Sequence, residues 1–252
     1  MTLGPLIVQS DHTVLLEVAH PDADEARHAI AVFAELERAP EHIHTYRVTK
    51  LGLWNARAAG HTAEEITATL DRYAKFPVPS GVSGEITETM RRYGRLTIER
   101  QPGEHYVGQA SDGQALQLPQ LILRSDDPAI LREVASAKKI APLLGARIDE
   151  LSYAVEPWAR GQLKQELVAR GWPAEDLAGY TPGEPYDIEL AEVDWQLRDY
   201  QRQAVEAFAR GGSGVVVLPC GAGKTIVGAG SMAAIGAKTL ILVTNTVSAR
   251  QW

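Results

Sequence analysis

Apolar positions in the first hundred residues follow two periods. Leu6-Ile7-Val8-Gln9 and Val14-Leu15-Leu16-Glu17-Val18 are short strand-like runs on either side of Ser10-Asp11-His12, which has turn chemistry. From Ala26 to Leu36 the spacing becomes helical, with Ile30, Phe33 and Ala34 on the apolar face, and Tyr46-Arg47-Val48 predicts a further short strand. Three helices then follow. Leu51 to Ala59 closes at Gly60, suited to a left-handed cap. Thr62 and Glu65 form a capping box ahead of Ile66, Leu70 and Tyr73. Past the break at Pro77-Val78-Pro79-Ser80-Gly81, the residues Val82, Ile86, Met90 and Tyr93 mark one face of a helix that stops at Gly94. Leu96 and Ile98 alternate with polar neighbours, Gln101-Pro102-Gly103-Glu104 predicts a turn, and His105-Tyr106-Val107 predicts the returning strand. Three helices and a hairpin, spanning about 49–108, make a winged-helix pattern whose last helix and exit carry Arg91, Arg92 and Arg95. Those arginines have two open roles: contact with DNA, or a solvated face on a module that docks protein.

The pattern changes after residue 117. Leu121-Ile122-Leu123-Arg124 predicts a strand, and Asp127-Pro128 an N-cap with proline at the first helical position, followed by Ile130, Leu131 and Val134. Tyr153-Ala154-Val155 repeats the strand, Pro157 opens a second helix, and Leu163, Leu167 and Val168 give its apolar face. The economical reading is a small β-α-β-α unit over 118–190. Lys138, Lys139 and Arg147 add a modest basic feature, either solvated or set against a phosphate backbone.

The strongest signal lies further on. Val215-Val216-Val217-Leu218 reads as a buried central strand of a parallel sheet, followed by Pro219-Cys220-Gly221-Ala222-Gly223-Lys224-Thr225 and the apolar Ile226-Val227. Strand, glycine-rich turn and helix are what a phosphate needs: converging backbone N–H groups with the positive end of a helix behind them. Gly221 and Gly223 permit the twist, Lys224 would reach the β- and γ-phosphates, and the Thr225 hydroxyl would ligate Mg²⁺. The pattern G-x-x-x-x-G-K-[ST] is met except at its first position, where Leu218 stands. Upstream, Leu197-Arg198-Asp199-Tyr200-Gln201 opens a helix with Tyr200, Ala204 and Phe208 on one face, and the Gln201 amide, one donor and one acceptor, suits the edge of adenine. Thr239-Leu240-Ile241-Leu242-Val243 predicts a second buried strand.

Composition narrows the class without changing these elements. The 252 residues are 45% hydrophobic and 23% charged, values of a globular chain with room for two or three small domains. No apolar run approaches the length of a membrane span, and the lone Cys220 cannot form an internal disulfide, so a cytoplasmic setting is expected. The histidines show no zinc spacing. The net charge of −7 argues against a simple nucleic-acid coat. Residues 171–194 carry seven acids and no base, whereas 195–252 carry six bases and two acids, which places a boundary near 190.

The stretches "LRDYQ", "VVVLPCGAGKT" and "LILVTNTVSARQW" resemble the Q motif, motif I and motif Ia of superfamily 2 helicases. The "LPCGAGKT" form and the "VSARQW" ending are similar to the XPB-type (xeroderma pigmentosum group B) DNA repair helicases, and "PLIVQSDHTVLLE", "HTYRVTKLGLWNARAAG" and "RYGRL" to bacterial members. The resemblance implies an α/β multidomain chain: an N-terminal domain over 1–117 with the winged-helix-like part, a damage-recognition-like domain over 118–190, and from 191 the start of a first RecA-like ATP-binding lobe. It implies ATP and Mg²⁺ as cofactors, DNA as partner, and a nuclease or a repair or transcription factor as a possible further partner. Pro219, Cys220, Gly221, Ala222, Gly223, Lys224 and Thr225 would hold nucleotide with Gln201, and Arg91, Arg92, Arg95, Lys138 and Lys139 would touch DNA. The acidic motif II, the second lobe and its arginine finger would lie beyond Trp252, so the 252 residues alone are expected to be catalytically silent. The alternative is a non-catalytic DNA- or protein-binding module with a vestigial phosphate loop. A small nucleotide kinase or GTPase fits less well, because such enzymes usually carry the loop near the N-terminus.

Overall fold

A computed structural model describes residues 3–109, 115–191 and 195–252. It is a mixed α/β structure with two sheets, and it divides into two compact units, Met1–Gly179 and Tyr180–Trp252. Among the described residues no helix is long and apolar enough to cross a membrane.

The first unit opens with β1 (Leu6–Val8) and β2 (Thr13–Glu17), followed by α1 (Ala23–Ile30), β3 (Ala34–Arg38) and β4 (Ile43–Val48). These strands form an antiparallel sheet in the order β1-β2-β4-β3. The turn after β1 is where the sequence put it: Asp11 accepts from the Thr13 N–H at 3.0 Å, and His12 takes a left-handed φ of 69°. The helix expected over Ala26–Leu36 forms only in its first part, since α1 ends at Ile30. The Phe33 N–H donates to Ile30 O at 3.1 Å in a tight turn, and Ala34 and Leu36 then pair opposite Val48 and Tyr46 on the free edge of β4. Completing a ladder outweighs the helix propensity of this alanine-containing run.

Three helices cover the sheet: α2 (Lys50–Ala58), α3 (Ala63–Tyr73) and α4 (Ser80–Arg91). Thr49 caps α2 by accepting from Gly52 N–H, and the Thr62–Glu65 capping box opens α3 with bonds of 3.2 and 3.0 Å. The first core is built from Leu6, Leu16, Ile30, Phe33, Leu53, Ile66, Leu70, Ile86 and Met90.

A second core begins directly after α4. Its sheet contains β5 (Leu96–Gln109) and β6 (Ala115–Ser125), and then, around α5 (Pro128–Ala135) and α6 (Arg160–Ala169), β7 (Leu144–Arg147), β8 (Ser152–Val155) and β9 (Ala174–Asp176). The order is β7-β8-β6-β5-β9, with β9 parallel to β5 and the other pairs antiparallel. The turn expected at Gln101–Glu104 is absent. The strand continues through it, and the register slips from Arg100↔Leu121 to His105↔Pro119, a bulge on β5. A β-bulge absorbs the extra residues that the sequence signals as a turn. Leu96 and Ile98 consequently lie in the second core with Leu123, Leu131, Val134, Ile140, Leu163 and Leu167. Asp127 caps α5 by accepting from Ala129 N–H at 2.8 Å, with Pro128 at the first helical position. Strands β7 and β9 carry no strong sequence signal and exist because β8 and β5 offer edges. Asp176 fastens β9 to α6: it accepts from Arg160 Nε and Nη2 at 2.9 and 2.7 Å and from Lys164 Nζ at 2.8 Å.

The second unit contains α7 (Asp199–Gly211), α8 (Lys224–Ile235) and α9 (Thr246–Gln251). Helices α7 and α8 cross closely at Gly230, where an added Cβ would lie 3.0 Å from Val205 Cγ2. The face of α7 that is buried is Gln201 and Val205, one residue on from the expected Tyr200, Ala204 and Phe208. The buried central strands expected at 215–218 and 239–243 are not formed. Both stretches lack a ladder, and exposure alternates along them: 89% at Val215, 38% at Val216 and 87% at Val217; 81% at Leu240, 37% at Ile241 and 84% at Leu242. A strand-type sequence without neighbouring strands keeps its alternation and cannot bury both faces.

Two outcomes follow from this architecture. Limited proteolysis of the 252-residue chain should first remove segments after Gly179 and leave a resistant core ending near that residue; cleavage within the first core ahead of any loss from the second unit would contradict it. Asp176→Ala should destabilise the first unit by about 1–3 kcal/mol in chemical unfolding, because it leaves two cations facing a lost partner. Burial raises the Asp176 carboxyl, but the Arg160 and Lys164 bonds and charges prevail and hold it below its ordinary range. A carboxyl depressed on folding gives stability that is present above its unfolded value and lost as pH falls through its folded one. The difference between wild type and variant should therefore be full near neutrality and shrink in acid.

Candidate functional site

The phosphate loop is local in origin. Gly221 and Gly223 have φ values of 76° and 81°, a region closed to most side chains, and Gly223 is the residue on which α8 begins. The first turn of α8 directs its N–H groups toward the loop, and Lys224 is its first residue. Lys224 Nζ donates to the carbonyls of Leu218 and Pro219 at 2.9 and 3.0 Å, so the cation folds back over the loop that precedes it. Thr225 is half-buried in the first turn, and Pro219 and Cys220 are exposed on the loop.

The start of α7 is joined to this loop. Gln201 is 6% exposed, donates from Nε2 to Ala222 O at 3.0 Å and accepts on Oε1 from Arg198 N–H at 3.0 Å. Tyr200 Oη donates to the same Ala222 carbonyl at 2.8 Å. A Cβ at Gly223 would stand 2.6 Å from Gln201 Nε2, so a side chain there would displace that amide. A cavity of about 390 Å³ opens here, lined by Trp195, Arg198, Gln201, Gly221, Gly223 and Ile226. A larger one of about 630 Å³ is lined by Lys224, Ile241, Leu242 and Trp252 among others. The residues present fit a nucleotide: a left-handed glycine pair, a helix N-terminus and a lysine on one side, an aromatic ring and a primary amide on the other. Trp195 and Tyr200 were not singled out for this site by their spacing; only a nearby phosphate loop would have pointed to them.

The five basic residues expected at DNA lie at two places in the chain, the exit of α4 and the turn after α5. Arg91 Nη2 donates to Glu88 at 2.8 Å. Arg92 is 3.4 Å from Glu88 and stacks over the Trp172 ring at 4.9 Å, and Trp172 Nε1 donates to Glu133 on α5 at 3.1 Å. Arg95 Nε binds both Asp126 oxygens at 2.7 and 2.6 Å, with Asp127 at 3.3 Å; the hydrogen bond to Asp126 is the main reason its guanidinium is held more firmly protonated than usual. Lys139 lies 3.6 Å from Glu166, and Lys138 is exposed beside it, in the turn after α5. Arg92 and Arg95 thus join the exit of α4 to the second core, whereas Arg91 stays on its own helix. Trp172, Asp126 and Asp127 lie far along the chain and give no local signal.

Two family profiles match the chain. The one described as "Helicase conserved C-terminal domain" covers residues 6–149, and the one described as "Type III restriction enzyme, res subunit" covers 194–252. Among similar proteins, "DNA 3'-5' helicase XPB" of Kineococcus radiotolerans is 59% identical over the whole chain, which spans 42% of that protein. The protein of the same name from Mycobacterium tuberculosis is 58% identical over the whole chain, 43% of its own length. "General transcription and DNA repair factor IIH helicase/translocase subunit XPB/SSL2" of Saccharomyces cerevisiae is 25% identical over 98% of the chain and 34% of its own length. The chain therefore spans about two fifths of the bacterial relatives it matches, and the similarity runs without a break through both cores and the phosphate loop. On that continuous match the chain belongs to the XPB-type family of superfamily 2 helicases.

Proposed function

We propose that this chain forms the front part of an ATP-dependent 3′→5′ DNA helicase or translocase acting in DNA repair. It would bind ATP–Mg²⁺ at the loop 219–225 and carry accessory domains ahead of it. In this reading the parts are an N-terminal domain over 1–117 with a winged-helix-like part, a damage-recognition-like domain over 118–190, and from 191 the start of a RecA-like lobe; two separate cores and a distinct second unit support a division into three. The observation that carries the proposal is the left-handed Gly221–Ala222–Gly223 turn, which delivers Lys224 and Thr225 to the N-terminus of α8. In this reading the backbone N–H groups and Lys224 hold the β- and γ-phosphates, the Thr225 hydroxyl ligates Mg²⁺, and Gln201 reads the base. ATP with Mg²⁺ supplies the phosphoryl group whose transfer drives movement along DNA. Phosphoryl transfer needs several charges positioned at once. Among the described residues, neither cavity is lined by a carboxylate that could serve as a second metal ligand or orient water. In this reading the chain contributes the nucleotide-binding loop, and turnover is the work of the longer protein.

A second reading, a docking module with an idle loop, is favoured by one observation: Arg91, Arg92 and Arg95 are all engaged with acidic or aromatic side chains. DNA contact would then fall to other groups, and the first unit would serve chiefly as a protein-docking scaffold.

One pair of titrations separates the readings. The 252-residue chain should bind a fluorescent ATP analogue in the presence of Mg²⁺, and Lys224→Ala should weaken it about ten- to a hundredfold, the worth of charge-assisted bonds. No ATP turnover above background should be seen in either. In the longer protein Lys224→Ala should abolish unwinding of forked DNA and leave DNA affinity, measured without nucleotide at two salt concentrations, unchanged. ATP binding that ignores Lys224 would favour the idle-loop reading.

A further inference from the structure

The Ala222 carbonyl accepts two side-chain hydrogen bonds, both from consecutive residues in the first turn of α7. A carbonyl oxygen has two lone pairs, so this one is saturated. Ala222 sits between the two left-handed glycines, the least restrained backbone of the loop. In a planar trans peptide the carbonyl and the following N–H point in opposite directions. Holding Ala222 O toward α7 therefore fixes the Gly223 N–H pointing away from it, and that N–H belongs to the turn that would receive phosphate.

The two donors differ in what else they can do. The Gln201 amide uses one N–H on Ala222 O and one lone pair of Oε1 on the Arg198 N–H, which leaves it a second N–H and a second lone pair. Reading a base edge takes one donor and one acceptor of the same amide, so Gln201 divides its hydrogen bonds between the loop and the base. Tyr200 has one O–H, and its oxygen lies 3.5 Å from Arg198 Nη1, which orients the proton toward Ala222. Nothing in its chemistry calls it away.

We infer that Tyr200 is a positioning residue of the phosphate loop, its hydroxyl holding the Ala222 carbonyl and hence the Gly223 N–H in place beside the Gln201 amide, whose remaining donor and acceptor are left for the base. The inference rests on reading the loop as an ATP site, and it assigns separate tasks to neighbouring residues: Gln201 discriminates bases, and Tyr200 acts on every ligand that carries the phosphates.

The test titrates the full 252-residue chain with fluorescent ATP and displaces it with ATP, GTP and inorganic tripolyphosphate, which has no base. Wild type, Tyr200→Phe, Gln201→Ala and Lys224→Ala are compared. Tyr200→Phe should weaken ATP, GTP and tripolyphosphate by one common factor of about fivefold, the effect of one neutral hydrogen bond, and leave the ATP-to-GTP ratio as in wild type. Gln201→Ala should lower that ratio, on top of any common loss from its own bond to Ala222. A residue that merely stabilised the fold would shift the melting temperature without this base-independent loss. Tripolyphosphate binding unchanged in Tyr200→Phe, or an altered ATP-to-GTP ratio in that variant, overturns the inference while Lys224 dependence keeps the ATP site standing. ATP binding insensitive to Lys224→Ala overturns both.

Discussion

The pairing of Leu96 with Ser125 at the start of β5 decides where the chain goes after α4. A strand that begins there needs a partner, and the partner is β6, so Leu96 and Ile98 enter the second core two turns of chain after Met90 has closed the first. The short link between them holds Arg92 and Arg95. Arg95 is then drawn onto Asp126 and Asp127 at the far end of β6, and Arg92 onto Trp172. One backbone ladder thus sets both the join between the cores and the fate of the cations beside it. Partly exposed ion pairs of this kind contribute little stability each. Their geometry matters because a guanidinium in two contacts with carboxylates is poorly placed to seek a phosphate.

Legibility followed the range of the interaction. The Thr62–Glu65 box, the Asp127–Pro128 start, the left-handed Gly60 and the glycine pair at 221 and 223 depend on residues within a few positions of one another, and each was readable from sequence. Strand β3 was misread as helix because its edge is supplied by β4, and β7 and β9 left no trace for the same reason. The expected hairpin at 101–104 failed because a bulge and a turn draw on the same residues, proline and glycine; only the partner strand distinguishes them. The Arg92–Trp172 stack and the Arg95 ion pairs were equally illegible.

At the loop the sequence showed the parts but not their bonds. Gln201 was chosen for the two ends of its amide, and the structure shows both ends in use on backbone groups. Its neighbour Tyr200, assigned to an apolar face, donates to the same loop carbonyl. A phenol gives no periodic signal that separates packing from hydrogen bonding, since one end is apolar and the other polar.

The alternating exposure along 215–218 and 239–243 bears on how this chain behaves in bulk. Val215, Val217, Leu240 and Leu242 project from two uncharged, β-branched or leucine-rich stretches that have no ladder partner. Such stretches satisfy their amides by adding strands from other molecules, and the identical segment in a neighbouring molecule is well matched in shape. The expected outcome is self-association of the 252-residue chain through its second unit, steepening with protein concentration, with the well-packed first unit taking no part in the contact.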